Sequence, residues 1–248
     1  MKFLVLAAGE GKRLQPYTKN KPKCMLEFNG KTLIKHQIDR CGDAFSKIIV
    51  VKGYKEEMIN YRGVKYYVNK DYVHTNMVES LMIACEEFDD DIIVSYGDIY
   101  FNADILDEII KYKGDFVATV DTNWQKYWKM RYGLVNYDTE SLVLSPKGLI
   151  TEIGAPSPPI NKMDARYVGL LKFSKKGLQL IEEIYNNSNK WKTAYMTDLL
   201  QEIISKGHPV HALKINNGWL EFDEKKDYEK GKEWLKTKLL EKLNIYVN

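Results

Sequence analysis

Short apolar runs alternate with amphipathic stretches through the first half of the chain. Lys2–Ala7, Lys47–Val51, Val64–Val68, Asp91–Ser95 and Asp115–Val120 read as strands. Between them Ile34–Cys41, Glu56–Tyr61, Met77–Phe88 and Ala103–Tyr112 carry the helical period. Such alternation predicts an α/β fold, a mainly parallel sheet with helices on both faces. The pattern changes after about residue 121. Tyr132–Tyr137, Ser141–Leu144 and Leu149–Ile153 read as short antiparallel strands, and Ala165–Phe173 as a long one. Helices at Lys176–Tyr185 and Thr193–Ser205, a strand at Val210–Ile215 and a closing helix at Lys225–Leu243 follow. We expect one continuous domain over residues 1–248, with a first half (1–121) built on the parallel sheet and a second half (122–248) whose antiparallel part forms a small lid over one sheet edge.

In an open parallel sheet the ligand lies beyond the carboxyl ends of the strands. That rule directs attention to the residues after Ala8, to Gly53-Tyr54 and to Gly97-Asp98. The first of these is Leu6-Ala7-Ala8-Gly9-Glu10-Gly11-Lys12-Arg13. A glycine loop leaving a buried strand lets backbone N–H groups approach phosphates, and Arg13 adds a planar fork for phosphate oxygens. Two familiar phosphate motifs do not fit. Leu14 stands where the dinucleotide fingerprint needs its third glycine, and Gly11-Lys12 is followed by Arg13 rather than Ser or Thr. Six basic residues (Lys12, Arg13, Lys19, Lys21, Lys23 and Lys31) fall within twenty positions. Lys23 stands out because it follows Pro22 and precedes the apolar Cys24-Met25-Leu26.

Composition narrows the classes. The 248 residues carry 37 basic and 34 acidic side chains, a net charge of +3, too small to predict a nucleic-acid binder. Apolar stretches of about eight residues or fewer exclude a membrane-spanning helix, and charge follows the N-terminal apolar run too soon for a signal peptide. Three scattered cysteines suit free thiols in a reducing cytoplasm. The four histidines have no zinc spacing with them.

Two carboxylates are candidates for holding a metal. Asp98 follows the strongly apolar run Ile92–Ser95 and is freed by Gly97, a placement suited to a hard cation. Trp219-Leu220-Glu221-Phe222-Asp223 alternates as a strand does, so Glu221 and Asp223 project to one face. For Asp223, capping of the helix that starts near Glu224 is the competing reading. The acidic run Glu86–Asp91 lies at the opposite end of the sheet and reads as a solvated helix terminus.

The run L-A-A-G-x-G-x-R-L-x-P-x-T-x-x-x-P-K at residues 6–23 resembles the signature of nucleotidyltransferases that make activated metabolites, the sugar-1-phosphate nucleotidylyltransferases and phosphocholine cytidylyltransferases. The resemblance implies a Rossmann-like three-layer α/β/α fold. It implies that Leu6, Ala7, Ala8, Gly9, Glu10, Gly11, Lys12, Arg13 and Gly97 surround the nucleotide, and that Lys23 and Arg13 carry the catalysis. It also implies that Asp98 and Asp223, with Glu221 in reserve, hold Mg²⁺ or Mn²⁺. Thr75, Asn76 and Ser80 would read the base, and the pattern from Asn76 to Leu81 looks like the CTP-using branch. Later segments, among them Trp128-Lys129-x-Arg131, Arg166-Tyr167-x-Gly169 and Gly218-Trp219-Leu220-Glu221, resemble cytidylyltransferases acting on phosphoglutamine and 2-aminoethylphosphonate. On that resemblance Trp124, Trp128, Arg131, Glu152, Arg166 and Tyr167 would bind the acceptor, although Arg166 stands where Gln or another neutral residue is expected. For Trp124 and Trp128, at i and i+4, packing of a helix is the competing reading.

The resulting expectation is a cytoplasmic, Mg²⁺-dependent cytidylyltransferase. It would join CMP from CTP to phosphoglutamine, 2-aminoethylphosphonate or phosphocholine and serve capsule or cell-surface polysaccharide synthesis. It would act as a monomer or homodimer, with no nucleic-acid or membrane partner. A sugar-1-phosphate nucleotidylyltransferase is the nearest alternative. A D-x-D glycosyltransferase is disfavoured because Asp98-Ile99-Tyr100 lacks the second Asp, and a decayed nucleotide sensor is disfavoured because the charged set is intact.

Overall fold

The computed structural model describes residues 1–247. In chain order, β1 (Lys2–Ala7) leads through the glycine loop to a small hairpin, β2 (Glu27–Phe28) and β3 (Lys31–Thr32). There follow α1 (Leu33–Cys41), β4 (Lys47–Lys52), β5 (Val64–Val68), α2 (Met77–Met82), β6 (Ile92–Tyr96), β7 (Ile99–Phe101), α3 (Ala103–Lys111) and β8 (Phe116–Asp121). The second half contributes α4 (Trp124–Tyr132), β9 (Glu140–Leu144), β10 (Leu149–Pro156), β11 (Arg166–Phe173), α5 (Lys175–Asn186) and α6 (Met196–Ser205). β12 (Val210–Ile215), β13 (Trp219–Glu221) and α7 (Lys225–Lys236) complete it.

Nine strands form one sheet in the order β5-β4-β1-β6-β11-β8-β12-β10-β9. β5, β4, β1 and β6 are parallel, and β12 is parallel to β8. β11 is wedged antiparallel between β6 and β8. Every residue of β1 is buried, because helices cover both faces of a central parallel strand. Helix α1 begins where Thr32 Oγ1 accepts from Lys35 N, an N-cap bond of 3.2 Å. Helix α3 turns Ile105, Leu106 and Ile109 inward. Two apolar clusters, one on each face of the sheet, make the core.

The second half adds strands to this sheet rather than forming a sheet of its own. β9 and β10 make its edge, and β9 returns to the start of β11, where Asp164 N donates to Leu142 O at 2.9 Å. Four expected elements differ. Tyr132–Tyr137 is not a strand: α4 runs to Tyr132 and stops at Gly133, whose left-handed φ of 79° lets its N–H return to Lys129 O. Glu56–Tyr61 keeps only one 3₁₀ turn, entered through Lys55 at φ 49°. The expected Met77–Phe88 helix ends at Met82, and a separate 3₁₀ turn over Cys85–Glu87 swings Glu87 inward. The closing helix stops at Lys236, before Lys238 at φ 58°, and a 3₁₀ turn spans Leu239–Leu243.

Glu87 corrects the reading of the acidic run as solvated. It is buried at the amino ends of β1 and β4, where Lys2 (2.6 Å), Lys47 (2.7 Å) and Lys65 (2.7 Å) converge on it. Burial pushes its carboxyl up, but the bonds from Lys2, Lys47, Lys65 and Tyr67 outweigh burial and hold it well below the usual range. The three cysteines are free, Cys24 and Cys41 buried and Cys85 exposed. No helix among the described residues is long and apolar enough to cross a membrane.

Candidate functional site

The loop after β1 is held by backbone contacts with the segments at Gly53 and Gly97, where there is no room for a side chain. Gly97 N donates to Leu6 O and Tyr54 N to Ala8 O, both at 2.9 Å. A Cβ on Gly53 would stand 2.6 Å from Ala8 O, and one on Gly97 3.0 Å from Leu6 O. Gly11, at φ 64°, packs on Lys23, whose Cβ would lie 3.2 Å from an added Cβ. Gly53 and Tyr54, to which the strand-end rule pointed, therefore buttress the loop from behind and line neither cavity of the site.

Lys23 is the centre of the charged cluster. Its ammonium lies 2.5 Å from Asp98 Oδ2 and 2.6 Å from Asp223 Oδ1. Arg13 pairs with the other oxygen of Asp223. The two aspartates, far apart in sequence, meet because β7 and β13 pair antiparallel, Ile99 opposite Glu221, and Phe222 N donates to Asp98 O at 3.1 Å. Asp223 does not cap α7. That role falls to Glu224, while the Asp227 carboxylate accepts from Asp223 N (3.1 Å) and Glu224 N (2.8 Å).

The electrostatics are those of a crowded, largely buried site. Burial pushes the Asp98 carboxyl up; Lys23 pulls it down, but Glu221 and Asp223 push it further up, and it stays raised. Burial also pushes Asp223 up, yet Lys23 and Arg13 outweigh it and hold it low. Lys23 is raised because the two aspartates overcome its desolvation. Burial, with Asp98 nearby, pushes the Cys24 thiol up to about 12. Asp98 Oδ1 is buried without a hydrogen-bond partner. Two converging carboxylates with a spare buried oxygen fit a hard, oxygen-liganded cation. Among the described residues no third His, Cys, Asp or Glu joins them in a metal-holding group, so further ligands would come from substrate oxygens and water, as is usual for Mg²⁺.

Two cavities meet at Lys23 and Asp98. The first, about 170 Å³, is walled on one side by Leu6, Ala7, Ala8, Gly9, Gly11 and Gly97, and on the other by Asn69, Tyr72, Thr75, Asn76 and Ser80. Asn69 Nδ2 donates to Thr75 Oγ1 at 2.9 Å and to Ser80 Oγ at 3.0 Å, and so sets two of the three expected base-reading side chains. Asn69 and Tyr72 escaped the sequence reading, although Asn69 directly follows β5, at the strand end where ligands collect. Glu10 and Lys12 pair with each other at 2.8 Å and do not line this cavity.

The second cavity, about 180 Å³, is bounded by Arg13, Asp138, Glu140, Arg166, Tyr167, Tyr195, Thr197, Glu221 and Asp223. Of the six expected acceptor residues, Arg166 and Tyr167 face it. Trp124, Trp128 and Arg131 do not: they are 1%, 0% and 1% exposed. The i, i+4 spacing turns both indoles into the core, in an aromatic cluster with Tyr127 and Trp219. Arg131 grips Asp227 with two bonds (2.9 and 2.6 Å) and Glu221 with a third (2.5 Å). Trp128 acts from behind, its ring 4.6 Å from the Arg166 guanidinium. Glu152 is exposed on β10, outside the cavity. Glu140, Tyr195 and Thr197 were not anticipated; β9 and the start of α6 reach the cavity only through the folding back of the second half.

Comparison with known proteins bears on this arrangement. A family model described as a MobA-like NTP transferase domain matches residues 3–216. The chain is 33% identical to the CTP:phosphoglutamine cytidylyltransferase of Campylobacter jejuni, over 92% of this chain and 98% of that protein. It is 28% identical to a UTP–glucose-1-phosphate uridylyltransferase of Haloferax volcanii, over 88% and 89%. A solved structure of CTP:phosphocholine cytidylyltransferase from Streptococcus pneumoniae superposes with a TM-score of 0.73 at 23% identity, covering 94% of this chain and 98% of that one. The last match bears on the fold.

Proposed function

Because the chain belongs to the MobA-like NTP transferase domain family, we propose that it transfers CMP from CTP to a small phosphorylated or phosphonylated amine or amino acid and releases pyrophosphate. The observation that carries this reading is the Lys23 ammonium, set between Asp98 and Asp223 at the junction of two cavities. One cavity suits a nucleotide and the other a small charged acceptor, and they touch where phosphorus would change partners.

The backbone of the Gly9–Gly11 loop offers N–H groups to the triphosphate. Asn76, with Thr75 and Ser80 set by Asn69, offers donors and acceptors to the edge of cytosine. A phosphate oxygen of the acceptor attacks the α-phosphorus in line, forming one P–O bond as the bond to the β-phosphate bridge breaks. Charge grows on the α-phosphate oxygens and on the departing pyrophosphate, where Lys23 and Arg13 stabilise it. Divalent metal ions are in general use in this family; Mg²⁺ or Mn²⁺ on Asp98 and Asp223 would neutralise the same oxygens. Positioning and charge suffice for this chemistry, and no covalent enzyme intermediate enters. The activated product suits decoration of a capsule or other cell-surface polysaccharide, made in the cytoplasm where CTP is at hand.

The test is pyrophosphate release with Mg²⁺ and each of the four common NTPs, paired with phosphoglutamine, 2-aminoethylphosphonate, phosphocholine and glucose-1-phosphate. Turnover with CTP and one of the first three is expected. Turnover with glucose-1-phosphate alone would make this a sugar-1-phosphate nucleotidylyltransferase, and none with any pair would overturn the enzymatic reading.

A further inference from the structure

Most charged groups around the second cavity satisfy one another. Glu221 is taken by Arg131, and Asp223 by Lys23 and Arg13. Arg166 and Glu140 are left over, together with the exposed Asp138. Among the described residues neither Arg166 nor Glu140 makes an ion pair within 4.0 Å, and Arg166 Nη1 is buried with no hydrogen-bond partner. Both are half-buried and face the same space of about 180 Å³. Burial pushes the Glu140 carboxyl up against the pull of Arg166, so the two sense each other across the gap without closing it. They are held from different sides. The Arg166 guanidinium lies 4.6 Å from the Trp128 ring centre, and Glu140 stands at the start of β9, opposite Pro156 of β10.

We propose that Arg166 and Glu140 are a two-point clamp for the head of a zwitterionic acceptor, Arg166 taking its carboxylate and Glu140 its ammonium, so that the acceptor is a phosphorylated or phosphonylated amino acid. Leaving a half-buried cation and a half-buried acid unpaired costs free energy. A ligand carrying both opposite charges removes both costs at once. The guanidinium fork matches a carboxylate with two parallel bonds. A sugar ring would satisfy neither group, and a plain amine would leave Arg166 unpaired with a second cation beside it, so both are rejected by what they leave undone. The clamp rests on the transferase reading only for the orientation of the ligand, phosphate end towards Lys23.

The experiment uses acceptors that differ by one group, at two lengths. The short set is 2-amino-3-phosphonopropionate, 2-aminoethylphosphonate (no carboxylate) and 3-phosphonopropionate (no amine). The long set is phosphoglutamine with its decarboxylated and deaminated analogues. The wild type, Arg166→Gln, Arg166→Lys and Glu140→Gln are compared by kcat/KM with CTP and by calorimetric Kd. In the wild type, at one length at least, the amino acid beats both truncated analogues by about tenfold or more, the worth of one charge-assisted contact. Arg166→Gln collapses the preference for the carboxylate, Arg166→Lys restores part of it, and Glu140→Gln collapses the preference for the amine. A wild type indifferent to the carboxylate, or an Arg166→Gln that weakens every acceptor equally, overturns the clamp. Calorimetry needs no turnover: binding preferences without CMP transfer would keep the clamp and sink the transferase reading, whereas transfer without preferences would do the reverse.

Discussion

Lys23→Met tests the charged centre most directly. The substitution keeps the length of the side chain and removes its ammonium, leaving Asp98 and Asp223 facing each other with Arg13 as the remaining cation on Asp223. Removing one partner of a buried ion pair costs about 3–5 kcal/mol; because the three side chains keep 13–17% exposure, the lower end applies. For a chain of this length each kcal/mol lowers Tm by about 2–4 °C, so a fall of roughly 6–12 °C is expected without metal. A divalent cation should reverse much of the fall, because it can enter between the carboxylates without displacing a charge. At an effective dielectric of about 20, a unit cation 4 Å from a divalent one costs roughly 8 kcal/mol. On the proposed metal site, Lys23 would therefore swing aside, towards incoming phosphate, before a metal settles. Mn²⁺ binding to nucleotide-free protein, followed by electron paramagnetic resonance, should tighten at least tenfold in Lys23→Met. Turnover should fall by about 10²–10³, the usual loss for one preorganised donor to a developing charge. Equal Mn²⁺ affinity in the two proteins, or unimpaired turnover in the variant, would refute the argument that Lys23 shares its place with the metal.

Three further outcomes follow from the geometry. Arg131→Ala, which strands Asp227 and Glu221, should cost about 3–5 kcal/mol in urea unfolding; a wild-type midpoint would contradict its placement in the core. Gly53→Ala forces a methyl to 2.6 Å from Ala8 O and should cost about 1–3 kcal/mol while weakening nucleotide binding, whereas Gly9→Ala, with nothing within 4 Å of the new methyl, should leave the unfolding midpoint nearly unchanged. Glu87 is held below its unfolded value of about 4.3, so its stabilisation is full above that pH and drains away as pH falls towards the folded value. The gap in stability between wild type and Glu87→Gln should therefore shrink from pH 6 to pH 3, and a constant gap would show that the lysines around Glu87 contribute nothing.

The strands of the first half were legible because a parallel strand buried on both faces is written as an unbroken apolar run, as in Lys2–Ala7 and Ile92–Tyr96. The loop after β1 was legible because its glycines and basic residues are contiguous. Segment 124–131 was read wrongly for a physical reason: aromatic and cationic residues at helical spacing suit an exposed binding face and a buried core face equally, and the deciding partners, Asp227, Trp219 and Glu221, are remote in sequence. Glu140 and Asn69 had no local signal strong enough to raise them. Each matters through what folding sets opposite it, Arg166 in one case and Thr75 with Ser80 in the other. The acidic run misled in the same way, since three lysines from separate strands collect on Glu87 alone.

The pairing of β7 with β13 has a consequence in time. Asp98 and Asp223 become neighbours only when the strand carrying Leu220 lies against Tyr100. During synthesis at about 5–20 residues per second, the nucleotide cleft is complete in sequence roughly 6–25 s before its second carboxylate leaves the ribosome. Through that interval the proposed triphosphate cradle lacks one of its two carboxylates. On the proposed mechanism, the first turnover awaits the docking of this late strand on an early one.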